Sequence, residues 1–267
     1  MRLALYQGNA EPLAFDANLA LIDRAAEEAS AGGAELLLTP ELFVTGYAPA
    51  LISSSVTPAD VARLAGKLTG IAGRHGIGLL YSLPGPGPAN DRGITATLVD
   101  AAGAALASYT KTHLFGPAER AAFRPGVDAP AITTFGGTRV GIALCYDIEF
   151  PEVARAAALR GAELLLVPTA LGAGFENVCT VLVPARALEN SLTVAYANHS
   201  GIEDDFLFAG SSVIADPAGE IVARAGTASE IIYGEVRPAE PEVDYLRDRR
   251  ADLYPLWDVS VPSKETP

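Results

Sequence analysis

The sequence predicts an α/β protein built as a four-layer αββα sandwich, two mixed sheets face to face with helices on their outer surfaces. Three observations carry that prediction. Short apolar strands alternate with segments of amphipathic helical spacing. Two Asp-x-x-Gly turns, Asp100–Gly103 and Asp216–Gly219, sit between apolar runs and add hairpins to the sheets. Finally, residues 33–40 (GAELLLTP) and 161–168 (GAELLLVP) agree at seven of eight positions, each following a helix that itself follows a strand. The echo implies two strand-helix-strand units related by internal pseudo-symmetry.

Taken in order, Leu3–Gln7 reads as a buried strand. Asn18–Ala31 is a helix with Leu19, Ile22, Ala26 and Ala29 on one face, stopped by Gly32 and Gly33. Glu35–Leu38 is a short strand ended by Pro40-Glu41, and LFVTGYAP follows as a loop. Thr57-Pro58 opens a second amphipathic helix that closes near Gly76, with proline at the first helical position, where no donor is lost. Strands are expected at Ile77–Leu83, Ile94–Val99 and Ala105–Thr110, and an irregular stretch over Lys111–Asp128. Ile132–Phe135 and Val140–Leu144 are the next strands, then a helix over Pro151–Arg160 and a strand at Glu163–Val167. A helix near Val178–Asn190 carries Pro184, which should kink it or mark a late start. Leu192–Ala197, Phe208–Ala215, Ile221–Ala225 and Ile231–Val236 complete the sheets. The run Val243–Trp257 is charged and aromatic without a core stripe. The expected organisation is one catalytic-sized domain over 1–240 and a tail over 241–267.

The 267 residues, 49% hydrophobic, are enough for a sizeable core. A net charge of -13 argues against nucleic acid or an anionic membrane as partner. The start MRLALYQGNAEPL does not read as a signal peptide, and no apolar run approaches a membrane span, so a cytoplasmic location is expected. In that compartment Cys145 and Cys179 stay reduced. No pair of His, Cys or carboxylates falls at metal-ligand spacing, and GAGFEN and PGPGPAN lack a phosphate-loop pattern, so neither metal nor cofactor is expected.

The stretch RVGIALCYDIEFPE puts Cys145 at a strand-to-helix turn, near backbone N–H groups that no ladder claims. Such a cysteine reads either as a nucleophile or as a small inert hydrophobe. Glu41 follows an apolar strand and precedes Leu42, Phe43 and Val44; there a carboxylate is a base of raised pKa or the cap of a loop. Lys111 is one of three lysines against 16 arginines, which suggests a task suited to a compact ammonium. All three lie at the carboxyl ends of expected strands, where α/β sheets build their crevices. Histidine chemistry competes, since His113 or His199 could pair with Cys145 in the manner of a cysteine protease, although no local signature supports it.

The segments TPELFVTGY, YTKTHLFG and LCYDIEFPE, in that order, resemble the Glu, Lys and Cys motifs of the nitrilase superfamily, the carbon-nitrogen hydrolases. The likeness runs from Leu3 to about Tyr254. It implies the nitrilase-type αββα fold, catalytic roles for Glu41, Lys111 and Cys145, and a second glutamate at Glu119 in GPAERAAFRPG, which by itself would read as a surface charge. It also implies a homodimer, αββα-αββα, whose C-terminal tails cross to the partner. The run DYLRDRRADLY and the loop TALGAG look like a bacterial aliphatic-amidase branch. The expected activity is hydrolysis of small, short aliphatic carboxamides to acid and ammonia through an acyl-cysteine. An ω-amidase, an N-carbamoyl amino acid amidohydrolase, a nitrilase and a catalytically silent binding protein stand as alternatives. By position, Tyr47, Tyr146 and Ala170 are expected to line the substrate pocket, with Gly172, Ala173 and Gly174 leaving room.

Overall fold

The computed structural model describes residues 1–89, 91–238 and 242–257. The elements run β1 (Arg2–Gln7), α1 (Phe15–Ala31), β2 (Leu36–Leu38), α2 (Pro49–Ser55), α3 (Pro58–His75), β3 (Gly78–Pro84), β4 (Ile94–Val99), β5 (Ala105–Thr110) and α4 (Gly116–Ala122). The second half continues with β6 (Ala131–Phe135), β7 (Thr138–Ile142), α5 (Pro151–Leu159), β8 (Leu164–Pro168), α6 (Val183–Asn190), β9 (Thr193–Ala197), β10 (Ile202–Glu203), β11 (Phe206–Leu207), β12 (Val213–Ala215), β13 (Ile221–Arg224), β14 (Glu230–Glu235) and α7 (Tyr254–Trp257).

Two six-stranded sheets form, ordered β14-β1-β2-β3-β4-β5 and β13-β12-β9-β8-β7-β6. Leu5, Leu38 and Leu80 of the first face Ile142, Leu166 and Ile214 of the second across one apolar layer. Ile22, Leu64 and Ile71 of α1 and α3 cover the back of the first sheet, and Val153, Ala157 and Ala187 of α5 and α6 cover the second. The four-layer αββα arrangement is therefore present. Helix α3 owes its start to Thr57, whose hydroxyl accepts from the Asp60 N–H while the Asp60 carboxylate accepts from the Thr57 N–H, and its stop to Gly76 at φ 61°.

The pseudo-symmetry is exact in register. Parallel ladders β1-β2-β3 and β7-β8-β9 carry the echo segments on their central strands, Leu3 pairing with Leu36 and Val140 with Leu164. The echo glutamates do the same job in both halves: Glu35 accepts from the Arg2 N–H at 3.0 Å and Glu163 from the Arg139 N–H at 2.9 Å. Hydrogen bonds at the carboxyl ends tie the sheets together, with Gln7 Oε1 accepting from the Ser212 N–H and hydroxyl.

Several expectations need correction. Lys111–Asp128 is not irregular throughout, because α4 lies in it; α2 was likewise unexpected. Both helices have seven residues and a proline in the first turn, too short for a periodic signal. Phe208–Ala215 is not one strand: Gly210 and Ser211 take φ 61° and 57° and turn the chain, leaving only Val213–Ala215 in the sheet. Upstream of Pro184, Val178–Leu182 winds as a widened π turn before α6 begins at Val183, so the proline marks the late start. Of the tail, residue 241 and residues 258–267 lie outside the described residues; Leu246 packs on the α5/α6 core of its own chain, while Leu256 and Trp257 are exposed. Among the described residues, no helix is long and apolar enough to cross a membrane, and no cluster of three or more His, Cys, Asp or Glu could hold a metal.

Candidate active site

Glu41, Lys111, Glu119 and Cys145 are all buried, and the fold brings them together at the carboxyl ends of the strands. Glu41 hangs from the turn after β2 and Lys111 directly follows β5, both on the first sheet. Cys145 follows β7 on the second. Glu119 sits in the first turn of α4 and reaches back to the Phe115 N–H with Oε2 at 2.7 Å, occupying a donor that the helix leaves unpaired.

Lys111 Nζ donates to Glu41 Oε1 at 2.9 Å and to Glu119 Oε1 at 2.7 Å. The Tyr47 hydroxyl also donates to Glu119 Oε1, at 2.6 Å. One oxygen of the cluster is left over: Glu41 Oε2 is buried without a hydrogen-bond partner among the described residues. Cys145 stands close enough to this carboxylate to lower its pKa in part. A single ammonium cannot balance two carboxylates and a thiolate, so the cluster retains a proton. Burial, opposed by Lys111 and reinforced by Glu119, pushes Glu41 up to about 7. Burial and the Glu41 charge outweigh Lys111 at Cys145 and hold its thiol well above the usual range. The sulfur thus rests protonated beside a carboxylate poised to take the proton. For Lys111 burial works against the charge, but Cys145, Glu41 and Glu119 together raise its pKa, and it stays an ammonium.

Cys145 opens a short 3-10 turn, Cys145–Glu149, with φ 48°. That left-handed backbone is costly for a residue with a Cβ and sets the sulfur apart from the strand direction. The first N–H groups of such a turn, that of Tyr146 among them, have no partner within it. Asp147 holds the elbow. Its carboxylate accepts from the Leu144 N–H at 3.2 Å, the Tyr109 hydroxyl at 3.0 Å, the Thr112 hydroxyl at 2.8 Å and the His113 N–H at 2.9 Å, tying the cysteine turn to the Lys111 segment.

Neither histidine serves the thiol. His113 Nδ1 faces Asp147 and its ring stacks on Phe150 at 4.0 Å. His199 is fully buried and spends both nitrogens, one on Glu203 and one on the Glu41 carbonyl at 2.6 Å. Asp147, His199 and Glu203 were not singled out for these positions from the sequence. His199 directly follows β9 by two residues, so the strand-end rule that picked Glu41, Lys111 and Cys145 applied to it equally.

A cleft of about 380 Å³ opens beside the cluster, with Tyr47 and Phe115 in its wall together with Phe206, Asp204 and Asp205. Tyr47 and Phe115 are the residues whose hydroxyl and N–H hold Glu119. A larger cleft of about 800 Å³ is lined by Arg2, Tyr233 and Tyr245 among others; none of the four clustered residues lines either cleft, and the smaller one alone has their hydrogen-bond partners Tyr47 and Phe115 in its wall. Tyr146 is half-buried with its ring edge-on to Phe115 at 5.2 Å. Ala170 is buried in the segment after β8, where Asn198 holds the neighbouring Leu171 N–H at 2.7 Å. Of the small residues that follow, Gly172 leaves no open space, because a Cβ there would meet the Phe206 ring at 2.7 Å, whereas a Cβ on Gly174 would meet nothing within 4 Å.

The sequence model for carbon-nitrogen hydrolases matches residues 2–242. Among solved structures, an amidase from Nesterenkonia sp. AN1 is 49% identical over 96% of this chain and 99% of its own, with a TM-score of 0.93. A variant of that amidase was captured after Michael addition of acrylamide at its active-site cysteine. A hydrolase in the pqqF 5' region of Pseudomonas protegens is 39% identical over 260 residues, 95% of this chain and 90% of its own. An (R)-stereoselective amidase from Pseudomonas sp. is 39% identical over 165 residues, 60% of this chain and 59% of its own.

Proposed function

This chain belongs to the carbon-nitrogen hydrolase family of the nitrilase superfamily, and on that footing we propose that it is an amidase releasing ammonia from small uncharged carboxamides, short aliphatic amides among them, through an acyl-cysteine on Cys145. The observation that carries the reading is the buried, unpartnered Glu41 Oε2 beside a thiol presented on strained backbone. The names of the similar Nesterenkonia and Pseudomonas amidases support it.

Glu41 takes the Cys145 proton as sulfur attacks the amide carbon, and the Lys111 ammonium with the Tyr146 N–H holds the oxyanion. Glu41 then gives that proton to the departing nitrogen, so ammonia leaves and a thioester remains. Water attacks the thioester while Glu41 accepts its proton; the acid leaves and the proton returns to sulfur. A carboxylate near pKa 7 serves both directions of transfer. Glu119, fixed by Tyr47 and the Phe115 N–H, orients Lys111 and the substrate amide.

Charge narrows the substrate. Among the described residues the cleft wall carries no Arg, Lys or His, whereas Asp204 and Asp205 are exposed on it. A substrate with its own carboxylate, such as an ω-amide of a dicarboxylate or an N-carbamoyl amino acid, would meet repulsion there. The homodimer implied by the family belongs to the same reading, with exposed Leu256 and Trp257 as apolar surface for the partner. The test is an ammonia-release screen over short amides, ω-amides, N-carbamoyl amino acids and nitriles. Short amides are expected to turn over best, Cys145→Ala to be inert and Glu41→Gln to fall by at least roughly a hundredfold. Near-normal release by either folded variant, or a preference for the anionic substrates, would overturn the proposal.

A further inference from the structure

His199 and Glu203 are both buried, titratable and outside the steps just described. His199 donates to two groups that can only accept: the Glu41 carbonyl oxygen at 2.6 Å and the Glu203 carboxylate. Two such bonds from one imidazole require a proton on each nitrogen, which makes the ring an imidazolium. Its surroundings agree. The ring stacks on Phe208 at 4.7 Å and lies 5.4 Å from the Phe43 ring, so two aromatic faces flank it. Glu203 in turn accepts from the Ala10 N–H at 3.0 Å and, with its other oxygen, from the Tyr47 N–H at 2.9 Å.

These bonds close a circuit. From the Glu41 carbonyl it runs through His199 and Glu203 to the Tyr47 backbone, then from the Tyr47 hydroxyl through Glu119 and Lys111 back to the Glu41 carboxylate. The peptide after Glu41 is gripped on both sides: its oxygen by His199, and its N–H, on Leu42, by Ser82 Oγ at 2.6 Å. Leu42 itself has φ 54°, a conformation that persists only when its surroundings enforce it.

We propose that His199 and Glu203 act as an imidazolium–carboxylate positioning couple that fixes the Glu41 turn and the Tyr47 wall to a common point and sets the charge felt by the Glu41 carboxylate. The charged and titratable groups facing Glu41 are then Lys111, Glu119, Cys145, Tyr47 and, from behind, His199. Removing the imidazolium charge makes the Glu41 carboxylate harder to ionise, so its proton is held to higher pH. The inference rests on Glu41 as the base for Cys145, not on the identity of the amide.

The experiment follows alkylation of Cys145 across pH by methyl vinyl ketone, a neutral Michael acceptor with no amide bond to hydrolyse, in the parent protein and in His199→Gln, His199→Ala and Glu203→Gln. Glutamine at 199 can still reach the Glu41 carbonyl with an N–H but carries no charge. Its alkylation rate on the alkaline side is expected within roughly tenfold of the parent, with the acid limb moved upward by about half a pH unit or more. Alanine is expected to lose at least roughly tenfold at every pH. Glu203→Gln should also move the limb upward, because the buried ring without its counter-charge gives up its proton and Glu41 loses the cation behind it. Nitrogen-15 NMR of the parent protein should show both His199 nitrogens protonated at pH 8. A neutral ring at that pH, or an unmoved acid limb in folded His199→Gln, overturns the couple. The NMR result decides even if the variants fail to fold. A parent protein with no acid limb near neutrality would count against Glu41 as base, a different failure that leaves the NMR reading intact.

Discussion

The backbone N–H of Glu41 donates to the carbonyl oxygen of Thr169 at 3.1 Å, joining the residues that directly follow Pro40 and Pro168 at the ends of the two echo segments. Equivalent positions of the two halves thus touch, yet their side chains have diverged. Glu41 is a carboxylate among charges, whereas Thr169 donates its hydroxyl to Tyr196 at 2.8 Å and lowers the Cys145 pKa in part. The repeated scaffold brings the two positions together, and the chemistry rests on the residues in which they differ.

The acid side of the pH profile should belong to Glu41. Burial lifts its carboxyl to about 7, and a base must be ionised to accept the thiol proton. Accordingly kcat/KM is expected to fall as pH drops through about 7, tenfold per pH unit well below it. A profile flat from about pH 5 to pH 8 would remove the assignment.

Stability should show the same group with opposite sign. The folded-state pKa lies above the ordinary value of 4.5, so the stabilisation associated with the protonated form is full below about 4.5 and is lost as pH rises through about 7. Glu41→Gln, which cannot ionise, is therefore expected to gain on the parent as pH rises from about 5 to about 8.5, by on the order of 3 kcal/mol. Urea unfolding at both pH values measures it; a constant difference would contradict the buried charge.

Lys111→Met leaves Glu41 and Glu119 facing each other without a cation. Breaking a buried ion pair from one side costs about 3–5 kcal/mol. Thermal unfolding should show a large loss near pH 8 that shrinks toward pH 5, where Glu41 is protonated. A loss independent of pH would place the damage in packing.

Asp147→Asn tests the elbow under Cys145. The amide replaces an acceptor of several donors with a group half donor, leaving buried partners unmatched at about 1–3 kcal/mol. Because those partners are Leu144, Tyr109, Thr112 and His113, the variant should also slow Cys145 alkylation while leaving Glu41 titration near its parent position. Unchanged alkylation in a folded Asp147→Asn protein would show that the elbow holds without it.

The fold was legible where a strand is wholly buried. LLL at 36–38 and LLLVP at 164–168 are continuous apolar runs because both faces of each strand are covered. Glu41 and Cys145 were legible because each follows such a run, and Lys111, after the largely exposed β5, because it is one of three lysines against 16 arginines. Glu119 carried no local signal, since its partners are the Phe115 N–H, Lys111 and Tyr47, and what places it is a helix too short to announce itself. His199 was visible only as a competing partner for sulfur that no local signature supported. Its partners are Glu203, four residues on, and a backbone carbonyl 158 positions away, and the second relationship is one that no spacing along the chain encodes.

Glu41 and Lys111 are suspended from one sheet and Cys145 from the other, with an apolar layer rich in leucine, isoleucine and alanine between. The gap between base and nucleophile therefore gauges how the two slabs are stacked. A slip of a fraction of an ångström at Leu38 or Leu166, too slight to melt the molecule, would register first as a slower reaction at the rim. Turnover should accordingly report on the quality of the central layer well before any loss of structure is visible.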